Sequence, residues 1–67
     1  MDSVNLKILQ LMAIGLTQKD ISEYLKKKGI TPNSVSIIEK RLKKLKNEYK
    51  AKSLFHLAVI LKNKSII

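Results

Sequence analysis

The sequence predicts an all-α domain built from four helices, and three observations carry that expectation. No window alternates apolar and polar residues over a useful length, whereas several repeat apolar residues at i, i+3, i+4 and i+7. The two glycines and the single proline stand at Gly15, Gly29 and Pro32, each between two such stretches. Each stretch also opens on a Ser or Thr that can cap a helix.

The first helix is expected from about Ser3, a candidate N-cap, with Val4, Ile8, Leu11 and Met12 on one side and Leu9 alongside. Gly15 follows as a residue that takes positive φ cheaply. Thr17 then caps a second helix, with Asp20 in the place of the capping-box acid and Ile21, Tyr24 and Leu25 as its inward stripe. Gly29 stops that helix after Lys26, Lys27 and Lys28, whose charge suits the negative end of the helix dipole. Thr31 and Pro32 predict the next start, Thr31 as N-cap and Pro32 at the first helical position, where no amide hydrogen is needed. Val35, Ile38, Leu42, Leu45 and Tyr49 then form one apolar stripe, giving a long third helix from Pro32 to about Tyr49. Such a helix would run for about 25 Å. Ser53 caps the fourth, from Leu54 to about Lys62. No repeat or linker divides the chain, so residues 1–67 are expected to form a single domain.

Charge narrows the function. Fourteen Lys and Arg against five Asp and Glu leave a net +9. Residues 1–25 net −1 and residues 53–67 net +2, so residues 26–52 hold +8 through ten cations against Glu39 and Glu48. Self-repulsion at that density is a real cost, and a polyanionic partner relieves it. DNA, RNA and an anionic membrane surface are the classes that fit. With no Cys and one His, no zinc set can be assembled, and no metal or other cofactor is expected. Five scattered carboxylates and two isolated glycines offer neither an acid–base pair nor a phosphate loop, so no catalytic residue is predicted. His56 reads as a cap-adjacent residue of the fourth helix. No apolar run reaches the roughly 18 residues of a membrane span, and Met1-Asp2-Ser3 lacks the basic start of a signal peptide.

Opposite its apolar stripe, the third helix is expected to present Asn33, Ser36, Lys40, Lys43, Lys44 and Asn47, with Ile37 and Arg41 on one edge. Short polar side chains lead and cations follow a turn later. That order suits a helix entering a major groove by its N-terminal end, with short side chains near base edges and cations near phosphates. Asn33 is therefore a base-reading candidate, and Ile37 is either plain surface or an apolar contact to the methyl of a thymine. The second and third helices, joined by a short turn containing Gly29, give the order of a helix-turn-helix with the third as recognition helix.

The run Ile8-Leu9-Gln10-Leu11-Met12-Ala13-Ile14-Gly15-Leu16-Thr17-Gln18-Lys19-Asp20-Ile21-Ser22-Glu23-Tyr24-Leu25 resembles the LuxR-type (GerE-like) helix-turn-helix domain of bacterial response regulators. It follows the family pattern VLxLxAxGLSNKEIAxxL almost position by position. Thr31-Pro32-Asn33-Ser34-Val35 stands where the family has SxxTV, and Ala51-Lys52-Ser53 with Leu57-Ala58-Val59 resembles the start of its fourth helix. Ser36 stands where the family commonly has Lys and Ile38 where it often has His. The resemblance implies sequence-specific binding of double-stranded DNA by the effector domain of a bacterial transcription regulator. By position it implies base reading by Ser36, Ile37 and Lys40, and phosphate contacts from Thr17, Gln18, Lys19, Ser34, Arg41, Lys44 and Lys52. It also implies a homodimer through the fourth helix, a cytoplasmic, nucleoid-associated location, and RNA polymerase as a further candidate partner. The chain would then be an effector domain cut from a longer regulator or encoded alone.

The fourth helix supplies its own argument for a partner. Leu54, Leu57, Ala58 and Leu61 form one core stripe, which leaves Phe55, Val59 and Ile60 pointing elsewhere. Either a second copy covers them, or the longer third helix or the Ile66-Ile67 tail does. The rival function is a basic amphipathic segment docking on a protein or membrane surface. Single-stranded RNA fits less well, because Tyr24 and Tyr49 lie on inward stripes and leave only Phe55 to stack.

Overall fold

The computed structural model describes residues 1–67 and contains four helices: α1 (Ser3–Ala13), α2 (Gln18–Lys27), α3 (Val35–Glu48) and α4 (Leu54–Asn63). There is no strand, and the all-α expectation holds. The core is made by Ile8, Leu9 and Leu11 of α1, Ile21 and Leu25 of α2, Ile38, Leu42 and Leu45 of α3, and Leu57 and Leu61 of α4. α3 packs against all three other helices, and α1 likewise touches each of its neighbours. The particle measures 30 × 20 × 20 Å.

Local chemistry sets each boundary. The first cap is Asp2, one residue earlier than expected: its carboxylate accepts the Val4 N–H at 2.7 Å and the Asn5 N–H at 3.3 Å, and Ser3 is already helical. At α2 the expected capping box forms. Thr17 Oγ1 accepts the Asp20 N–H at 3.1 Å, and Asp20 Oδ2 accepts the Thr17 N–H at 3.2 Å. Ser53 caps α4 through the His56 N–H at 3.0 Å, and His56 Nδ1 reaches back to accept the Lys52 N–H at 3.0 Å.

The third start differs from the expectation. α3 is capped by Ser34, whose Oγ accepts the Ile37 N–H at 3.2 Å, so Thr31 is not the cap and Pro32 is not in the helix. Residues 30–33 are held in another conformation. Ser22 Oγ donates to the Asn33 carbonyl at 2.6 Å, and the Asn33 side-chain amide donates to the Ile30 carbonyl at 3.1 Å. The Thr31–Pro32 peptide bond is cis. With 14 residues, α3 is about 21 Å long, shorter than expected by one turn. Its first residue, Val35, is 41% exposed rather than part of the inward stripe, which begins at Ile38.

All four helices finish alike. The N–H of Leu16, Ile30, Ala51 and Ile66 each donates to a carbonyl five residues back, at 2.9–3.1 Å. The preceding residues, Gly15, Gly29, Lys50 and Ser65, all have positive φ. This is the Schellman ending, and the residue after each turn packs on the core as that motif favours.

Candidate nucleic-acid interface

α3 separates into two faces. Ile38, Leu42 and Leu45 are sealed in the core, while Ser36, Ile37, Lys40, Lys43, Lys44 and Asn47 are all exposed. Ser36, Lys40, Lys43, Lys44 and Asn47 share the stripe opposite the core, and no carboxylate interrupts it; Glu39 and Glu48 lie toward its borders. Ile37, at its edge, is 39% exposed. A small polar residue thus leads, an aliphatic flanks it, and three cations follow along a surface free of internal partners.

Two of the residues expected on this surface are placed elsewhere. Asn33 precedes α3 and is half-buried, and both its amide and its carbonyl are engaged in the turn, so it is not part of the exposed stripe. Arg41 is tied down. Its Nη1 donates to Asn5 Oδ1 at 2.8 Å and lies 3.5 Å from Asp2 Oδ1, linking α3 to the first turn of α1. The Asp2 carboxyl is held below its ordinary range, first by the Val4 and Asn5 amides and, to a smaller degree, by Arg41.

The remaining phosphate candidates are scattered over the starts of α2, α3 and α4 and, with Lys44, the second half of α3. Lys19 is exposed and Gln18 half-buried in the first turn of α2, while Thr17 is engaged in its capping box with an acid, Asp20, beside it. Ser34 is half-buried, its hydroxyl accepting the α3 cap bond. Lys44 and Lys52 are exposed. Of the basic run at the end of α2, Lys28 is drawn toward Tyr24: its Nζ lies 5.8 Å from the ring centre, and Lys7 Nζ from α1 lies at 5.4 Å.

On α4, Phe55 is 81% and Val59 41% exposed, whereas Ile60 is half-buried. An open groove of about 520 Å³ runs beside Val59 between α1 and α4, floored by Ala13, Ile14, Ala58 and Ile67 with Lys62 at its side. The Ile66-Ile67 tail folds back onto the core and covers part of this flank, leaving Phe55 uncovered.

Three residues with structural duties escaped the sequence reading. Ser22 is buried and ties α2 to the turn; its place one residue after Ile21 and three before Leu25 marks it as inward. Asn5, three residues before buried Ile8, is similarly placed, but nothing local names Arg41, 36 residues away, as its partner. Asp2 competes with Ser3 as a cap within one dipeptide. No helix is long and apolar enough to cross a membrane, and no three His, Cys, Asp or Glu side chains gather. No protein family, curated protein or solved structure matches the chain.

Proposed function

We propose that this chain is a helix-turn-helix domain that binds double-stranded DNA sequence-specifically, with α3 as recognition helix in the major groove. The observation that carries the reading is the exposed, acid-free stripe of α3. Ser36 and Ile37 lead where close approach to base edges is needed, Lys40 reaches toward guanine O6 and N7, and Lys43 and Lys44 meet the bordering phosphates. Lys19 at the start of α2 and Lys52 before α4 add backbone contacts. Six neutralised phosphates would give a log–log salt slope of about −5.

Two copies pair through the outer face of α4, centred on Phe55 and Val59, and set two α3 helices about 34 Å apart over an inverted repeat. The module belongs to a transcription regulator in this reading, with the nucleoid as its place of work and RNA polymerase as a further partner. The rival, an amphipathic segment laid on a lipid or protein surface, would need the apolar side of α3. Ile38, Leu42 and Leu45 already close the core with that side, which disfavours it. Selection of bound duplexes from a random pool tests the proposal. Enrichment of a two-fold-symmetric site supports it, and co-sedimentation with anionic liposomes in the absence of any enriched duplex favours the rival.

A further inference from the structure

We propose that Arg41 is the positioning residue of the α3 interface: seated on Asn5 and Asp2, it fixes how α3 lies against α1 and is withheld from phosphate. The duplex part of this inference rests on the DNA reading above; the positional part does not.

The chain has thirteen lysines and one arginine. That arginine is half-buried, while Lys40, Lys43 and Lys44 around it on α3 are exposed. Its two acceptors differ in kind, an amide oxygen at 2.8 Å and a carboxylate oxygen at 3.5 Å. A planar guanidinium with several fixed donors suits both at once, where an ammonium on a flexible stem offers no preset direction. The seat is itself anchored: Asp2 Oδ1 accepts the Asn5 N–H, so the carboxylate that faces Arg41 also orders the main chain of the residue that grips it. Asp2, Asn5 and Arg41 thus form a closed set joining the first turn of α1 to the middle of α3. Along α3, Arg41 lies one turn after Ile37 and beside Lys40 and Lys44, so a shift at this contact is carried to the residues that meet the duplex.

The test uses the full chain and three variants, Arg41→Lys, Arg41→Gln and Asn5→Ala. Without DNA, amide chemical shifts are expected to change along the whole of α3, from Val35 to Glu48, in all three, with helix content retained. Changes confined to the first turn of α1 and the neighbours of residue 41 would overturn the proposal. With the selected duplex, each variant should lower the ratio of specific to scrambled affinity about 3- to 10-fold, a fraction of what base contacts supply. Arg41→Gln should leave the salt slope within a few tenths of the parent. A slope smaller by about 0.9 for each bound copy would assign Arg41 to a phosphate and overturn the proposal. Asn5→Ala changes no charge, and the Asn5 side chain is hydrogen-bonded to Arg41 and to no residue of the exposed stripe. If it instead raised affinity for scrambled duplex, Asn5 would only be restraining a phosphate-binding arginine, and the positioning role would fall. Should the parent bind no duplex while the shifts still run along α3, the DNA reading fails and Arg41 keeps its positional role.

Discussion

α3 and α4 carry similar numbers of aliphatic side chains yet present opposite surfaces. α3 buries Ile38, Leu42 and Leu45 and turns Lys40, Lys43 and Lys44 outward. α4 buries Leu57 and Leu61 and turns Phe55 and Val59 outward. The difference lies in what fills the positions between core residues, cations on one helix and further apolar groups on the other. A cationic face at this density repels itself and is relieved by a polyanion, whereas an aliphatic and aromatic face is relieved by removal from water. One small core therefore supports two surfaces that call for different partners.

The most disruptive way to break the contrast is to remove the foundation both surfaces share. Leu42→Ala should cost about 2–5 kcal/mol, since the side chain is buried and touches a core with little freedom to collapse. Urea denaturation should show it, and duplex binding and self-association should weaken together.

The α4 surface can be tested alone. Residues 49–67 hold Lys50, Lys52, Lys62 and Lys64 and no acid, so two copies meeting here bring like charges together. Self-association followed by sedimentation should therefore strengthen with salt, as screening relieves that repulsion, while duplex binding weakens. Phe55→Glu should abolish the pairing and leave the melting temperature nearly unchanged, because the ring is 81% exposed. Association that falls with salt, or survives this substitution, would place the contact elsewhere.

Smaller effects probe the helix ends that hold both surfaces in register. Lys50 and Ser65 occupy positive-φ positions where Gly15 and Gly29 serve the other two helices. Lys50→Gly and Ser65→Gly should each stabilise by about 0.5–1 kcal/mol in thermal unfolding, the relief of a left-handed side chain exceeding the added chain entropy. Acid supplies the smallest effect. The carboxyl of Asp2 is lowered in the folded state, so its stabilising contribution is complete above its ordinary pKa and lost as pH falls through the folded value. Melting curves should show Asp2→Ala below the parent at pH 7, with the gap closing well below pH 4.

These same helix ends show what a sequence makes legible. Gly15 and Gly29 announce their turns by residue type, and Thr17 with Asp20 announces a cap by spacing. Lys50 and Ser65 adopt the same backbone without a glycine, because the hydrogen bonds and the packing of Ala51 and Ile66 outweigh their local preference. The start of α3 was misplaced for a similar reason. Thr31-Pro32 is a sound local signal, but Ser22, eleven residues before Asn33, holds the turn open until Ser34 can cap. On the candidate interface, periodicity located Ser36, Ile37, Lys40, Lys43 and Lys44 correctly as exposed. It could not foresee that Arg41 is taken by Asn5, since a contact across 36 residues leaves no mark in either neighbourhood.

Whether the α3 stripe reads base sequence, rather than merely attracting phosphate, is tested most directly by Lys40→Ala. Affinities for the selected duplex and for a scrambled duplex of equal length should be measured at one salt concentration. Loss of a base contact should weaken the selected duplex by about tenfold or more and the scrambled duplex only about two- to threefold. Equal losses on the two duplexes would show that Lys40 senses charge alone, and would contradict α3 as a recognition helix.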